Sequence, residues 1–143
     1  MIYTDLTRLA MKIAYNKHHN QLDKAGIPYI YHPIHIAEQM HSEETTCVAL
    51  LHDVIEDTDT TIDDLRSAHF PESVLSALEL MTHTSEVPYL EYVQRIKTNP
   101  IARAVKIADL KHNSDLTRFS EEPNEKALRR IEKYSKALAI LSE

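Results

Sequence analysis

Apolar residues recur at helical spacing along most of the chain. Leu6, Leu9, Ala10, Ile13 and Ala14 form one stripe, which predicts a first helix entered after Thr4 or Asp5. The loop from Asp23 to Tyr31 separates it from a short helix starting near Pro33, whose missing N–H suits a first turn. A third helix is expected from about Glu44 to Asp57, Thr60 or Thr61 caps a short one over Ile62 to Ala68, and Pro71 opens another through Met81. Pro88 and Pro100 begin the next two, and Pro123 opens the last. In that last helix Ala127, Leu128, Ile131, Tyr134, Ala137, Leu138 and Leu141 form a stripe expected to pack into the core. No stretch alternates with period two, so the pattern predicts an all-α bundle, one domain over residues 1–143 without repeat or linker.

The third helix carries two distinct faces. At about 100° per residue, His52, Asp53, Glu56 and Asp57 share an arc of roughly 140°. Cys47, Leu50, Leu51, Val54 and Ile55 occupy the opposite side. Acidic helix faces are usually only solvated, and Glu56 and Asp57 alone would fit that reading, but a histidine between Leu51 and Asp53 fits it poorly. An imidazole and a carboxylate are ordinary ligands of a divalent ion, and a hydrolytic site takes about three or four protein donors. The missing donors must come from distant segments. His32, at the mouth of the second helix, and Asp109, set among Ile101, Ala104, Val105, Ile107 and Ala108, are the candidates. A carboxylate in such apolar surroundings needs a cation or hydrogen bonds. This donor set suits metal-dependent hydrolysis of a phosphate ester.

Composition removes several alternatives. Gly26 is the sole glycine, which excludes Gly-rich phosphate loops and dinucleotide fingerprints. A formal net charge of -6 argues against nucleic acid and anionic membranes as partners. A polyanionic small substrate then needs local cations, and Lys24, Lys106 and Lys111, each beside a motif, are the expected ones. The single cysteine, Cys47, lies on the apolar side of its helix and permits no internal disulfide, which suits a reducing compartment. No apolar run approaches a membrane span and the N-terminus has no signal-peptide pattern, so a cytoplasmic protein is expected.

The order His, His-Asp, Asp resembles the HD superfamily of metal-dependent phosphohydrolases. More narrowly, Leu50-Leu-His-Asp-Val-Ile-Glu-Asp-Thr58 is similar to the hydrolase domain of the Rel/SpoT alarmone enzymes and to the small stand-alone alarmone hydrolases. Gly26 to Pro33 resembles their first motif, and Val105 to Asp109 with His112 and Asn113 their last. The resemblance implies that His32, His52, Asp53 and Asp109 hold one ion, manganese in that family. It also implies that Glu56 and Asp57 act on the water and the leaving phosphate, and that Asn113 contacts the nucleotide.

Two stretches depart from the family pattern. Where the family has Arg-Lys-Ser-Gly-Glu-Pro-Tyr, with the arginine against the guanine ring, this chain has Asp23-Lys-Ala-Gly-Ile-Pro-Tyr29. Asp23 supplies no cation to lay over a base. The family's Asp-Arg-Leu-His-Asn-Met-Arg-Thr becomes Asp109-Leu-Lys-His-Asn-Ser-Asp-Leu116, in which Lys111 is a displaced basic residue. The expected activity is hydrolysis of guanosine 3′-pyrophosphate alarmones. The alternatives are another nucleotide or phosphorylated dinucleotide at the same metal site, and a nucleotide-sensing module without catalysis. Of the nine histidines, His112 is expected to support the site indirectly, while His18, His19, His35, His41, His69 and His83 are expected at the surface.

Overall fold

The computed structural model describes all residues, Met1–Glu143, as helices joined by short loops. The order is α1 Asp5–Lys17, α2 Tyr31–Glu38, α3 Glu43–Asp57, α4 Ile62–Ser67, α5 Glu72–Met81, α6 Tyr89–Lys97 and α7 Pro100–Asn113. A 3-10 turn over Leu116–Arg118 and α8 Glu125–Ser142 complete it. The only β contact is an isolated bridge between Leu22 and Pro28.

α3 is the axis of the bundle and packs on α1, α2, α5 and α7. Cys47, Val48, Ala49, Leu50, Leu51 and Val54 are fully buried along it, so the helix is enclosed on more than one side. That enclosure lets the same helix hold His52 and Asp53 out of water. Ser42 starts α3 by accepting the Thr45 N–H at 3.1 Å, which satisfies one of the orphan donors of the first turn. Ser42→Ala is expected to cost about 1 kcal/mol, read as a lower urea midpoint with an unchanged slope; no shift in midpoint would refute the cap.

Several predicted boundaries move. Pro33 does not open α2; the helix starts at Tyr31 and Pro33 sits inside its first turn, where an N–H would have no intrahelical acceptor. His32 is therefore a helical residue rather than a loop residue at the mouth. Likewise α8 is capped by Asn124, whose side chain accepts the Ala127 N–H at 2.8 Å, and Pro123 stays in the preceding loop. The apolar stripe of α8 is fully buried at Ala137 and Leu141 and packs partly against the core at Tyr134 and Leu138, whereas Leu128 is 51% exposed. The N-terminal half of this helix faces a cavity instead of the core.

Candidate active site

α3 carries His52, Asp53, Glu56 and Asp57 to one end of the bundle, where α2 delivers His32 and α7 delivers Asp109. His32, His52, Asp53 and Asp109 are all buried, and their ligand atoms lie within 4.8 Å of one another. The four residues expected to share one ion are thus brought together from three helices.

The chemistry of this cluster fits a cation. Each imidazole is held by its Nδ1: that of His52 lies 2.8 Å from the Ala49 carbonyl, and that of His32 lies 2.6 Å from His112 Nδ1. Both Nε2 atoms therefore point inward, as metal-binding histidines do when the other nitrogen is occupied. His52 Nε2 is buried with no hydrogen-bond partner, although Asp53 Oδ2 and Asp109 Oδ1 stand 3.2 Å and 3.5 Å away. Burial opposes a proton on this ring, yet the charges of Asp53 and Asp109 outweigh it and push the His52 pKa up to about 9. The cluster holds negative charge in a buried place, and a divalent ion with nitrogen and oxygen ligands answers that need.

The surrounding polar groups orient these side chains. Tyr29 donates to Asp53 Oδ2 at 2.7 Å, and burial with the Asp53 charge raises its pKa, so it stays a donor. Asn113 Nδ2 donates to Asp109 Oδ1 at 3.2 Å. Lys106 Nζ lies 3.0 Å from Asp109 Oδ2, with the Lys106 side chain 14% exposed. Asp109 thus has a protein cation of its own, one helical turn earlier on α7. Burial works against its charge, but Lys106 and the two imidazoles hold its carboxyl well below the usual range.

Glu56 and Asp57 stand beyond the cluster on the last turn of α3, both exposed to solvent. Glu56 Oε1 accepts the His83 N–H at 3.0 Å, and Asp57 Oδ2 accepts from Gln21 at 3.4 Å. Partial burial, reinforced by Asp53, raises both carboxyl pKa values above their ordinary level.

A cavity of about 570 Å³ opens beside His32. Lys24, Asn113, Arg118 and Arg130 line its polar wall together with the acidic Asp23, Glu121 and Glu122, while Phe119 and Tyr134 supply aromatic surface. Lys24 and Asn113 both line this cavity. Lys106 is not among the lining residues and is engaged by Asp109; Lys111 is exposed on a different groove with Met40 and Thr45.

Arg118 and Arg130 line the cavity beside His32 as well, and no motif of the sequence singles out either. Arg118 Nη1 donates to the His112 carbonyl at 2.9 Å and its Nη2 lies 3.3 Å from Asp23 Oδ2. Asp23 Oδ1 meanwhile accepts from the Ala25 and Ile27 N–H groups, closing a turn in which Gly26 adopts φ 79°. The unusual Asp23 is therefore half of an ion pair whose other half lies 95 residues away, and opposite charges at two odd positions were its only sequence signal. His18 also departs from expectation, being 2% exposed rather than at the surface. His35 is exposed but stacks on His112 with ring centroids 4.2 Å apart.

No helix is long and apolar enough to cross a membrane. Residues 10–131 match the HD domain family. A curated relative from Homo sapiens, guanosine-3′,5′-bis(diphosphate) 3′-pyrophosphohydrolase MESH1, is 38% identical over 127 residues, 79% of this chain and 70% of that protein. The guanosine-3′,5′-bis(diphosphate) 3′-pyrophosphohydrolase of Aquifex aeolicus is 38% identical over 84 residues, 56% of this chain but 12% of that longer protein. The solved structure of a metazoan ortholog of SpoT superposes with a TM-score of 0.76 at 22% identity, covering 99% of this chain and 88% of that one, which shows a shared fold. With a family match that spans all four residues of the buried cluster, this chain belongs to the HD domain family.

Proposed function

We propose that this chain, acting as one domain over residues 1–143, is a divalent-metal pyrophosphohydrolase that removes the 3′-pyrophosphate from guanosine-3′,5′-bis(diphosphate) in the cytoplasm. One observation carries the reading: a buried cluster of two imidazoles and two carboxylates lies against a nucleotide-sized cavity lined by Lys24, Arg118 and Arg130. The activity for which the human relative is named supports the choice of substrate.

His32, His52, Asp53 and Asp109 would hold the ion, with Mn²⁺ the expected metal. When bound, such an ion lowers the pKa of a water and offsets phosphoryl charge. The chain's own groups do the rest. Glu56 and Asp57 accept a proton from the attacking water and return one to the leaving oxygen, and their raised pKa values suit both halves of that exchange. Lys24 and Arg130 attract the phosphates, and Asn113 bridges the nucleotide and Asp109. Lys106 balances Asp109 and so acts on the substrate through the cluster.

Arg118 takes the base-facing position that Asp23 cannot fill. Its guanidinium is held by Asp23 and the His112 carbonyl and lies over the Phe119 ring at 5.7 Å, so a guanine ring would stack on the face turned away from Phe119. Arg118→Ala should raise KM about tenfold with kcat nearly unchanged, the loss expected for one stacked base. An unaltered KM would remove Arg118 from the substrate contacts.

The direct test is release of pyrophosphate from the alarmone by protein loaded with Mn²⁺ and by protein stripped with chelator. Turnover that depends on the metal is expected. No release by the metal-loaded protein would end the substrate assignment, and a panel of other nucleotides would then find the phosphate ester that the same site accepts.

A further inference from the structure

His18 caps the C-terminal end of α1 and is almost wholly buried, although it takes no part in the metal cluster. Its Nδ1 lies 2.9 Å from Gln21 Oε1, and Gln21 Nε2 donates to Asp57 Oδ2 at 3.4 Å. The other side of the imidazole packs against the Tyr29 ring at 5.0 Å, and Tyr29 is the residue that donates to Asp53.

This polar chain runs in one direction only. The Asp57 carboxylate accepts hydrogen bonds, so Gln21 must turn its amide NH₂ toward Asp57 and its carbonyl toward His18. His18 Nδ1 is then the nitrogen that carries the proton. His18 Nε2 is buried without any partner, a cost that an apolar side chain of similar size would avoid. What the imidazole adds at this position is its Nδ1–H. Gln21 is in turn the only hydrogen-bond partner of the Asp57 carboxylate, which sits at the last residue of α3.

We propose that His18 and Gln21 are positioning residues for the hydrolytic step: together they hold the Asp57 carboxylate in one rotamer facing the cluster. The inference rests on the reading of Asp57 as a proton-handling group. A carboxylate at a helix end that loses its only partner spreads over several rotamers, and a smaller share of molecules is ready to react.

Steady-state kinetics on the alarmone with Mn²⁺ test it. Gln21→Leu should lower kcat about tenfold, with KM and Mn²⁺ affinity unchanged, the scale at which outer hydrogen-bond partners act. In an Asp57→Asn background the same substitution should cause no further loss, because its route to the reaction is already gone. His18→Asn, whose Nδ2–H replaces the Nδ1–H, should keep most of kcat where His18→Leu loses it. If the buried His18→Leu variant misfolds, the partly exposed Gln21 and the asparagine variant still decide the matter. Losses that multiply in the double variant, or a changed KM at constant kcat, overturn the inference, since Gln21 then acts elsewhere. A silent Gln21→Leu beside an impaired Asp57→Asn overturns the inference alone. Silence at both positions overturns the reading of Asp57 and the inference with it.

Discussion

Glu56→Gln lowers kcat by about 10²–10⁴-fold, the usual contribution of a positioned acid or base, and leaves Mn²⁺ affinity and KM near their original values. The substitution is nearly isosteric, and a glutamine oxygen can still accept the His83 N–H that holds Glu56 at 3.0 Å, so geometry is preserved while proton acceptance is lost. The pH profile supplies a second check. Burial, with help from Asp53, keeps the Glu56 pKa above its ordinary value of 4.5 despite the His83 N–H. A base must be ionised, so as pH falls the rate should begin to drop above the normal glutamate range. Glu56→Gln should abolish that acid limb together with the activity. A variant that retains more than about a tenth of kcat would assign the proton transfer elsewhere.

Asp109→Ala destabilises the metal-free protein by about 3–5 kcal/mol, because it strands the buried Lys106 ammonium. The two side chains are 6% and 14% exposed and 3.0 Å apart, so little water is available to replace the lost partner. Urea unfolding in chelator measures the effect. Lys106→Met added to Asp109→Ala should restore most of the stability, since a buried ion pair is replaced by apolar packing at little cost, yet it should not restore hydrolysis. A loss below about 1 kcal/mol would mean that Lys106 reaches solvent or another anion.

The same pair predicts how the metal-free protein responds to pH. Despite burial, Lys106 and the imidazoles hold the Asp109 carboxyl below its ordinary value of 3.8. Its contribution to stability is therefore complete above that value and disappears as pH falls toward the folded pKa. Lys106 shows the opposite sign. Burial lowers its pKa, but Asp109 raises it above 10.5, so its contribution is present below 10.5 and lost at more alkaline pH.

α3 was the most legible element, because its apolar stripe at Cys47, Leu50, Leu51 and Val54 and its polar face at His52 and Asp53 are both written in one helical period. Proline positions located the helices but not their first residues. Pro33 lies inside α2 and Pro123 lies ahead of α8, since a residue without an N–H is tolerated anywhere in a first turn or the loop before it. The stripe of α8 read as core, yet only Ala137 and Leu141 are fully buried; the same spacing serves a helix that packs at one end and walls a cavity at the other. Periodicity records that a face is apolar and says nothing of what covers it.

Local patterning along the chain specifies the all-helical architecture, the placement of His52 and Asp53 on a buried helix, and the candidacy of His32 and Asp109 as their partners. These follow from local rules, namely spacing along a helix and the cost of burying charge. Packing of distant segments answers Asp23 with Arg118 and brings His18 to Asp57 through Gln21, whereas Lys106 and Asp109 stand one turn apart on α7, a pairing that i,i+3 spacing already allows. The Asp23–Arg118 and Gln21–Asp57 contacts join residues 95 and 36 positions apart, between loops and helix ends that no single helical period relates. A hydrogen bond or ion pair is a matter of a few tenths of an ångström, and spacing along the chain carries no such information.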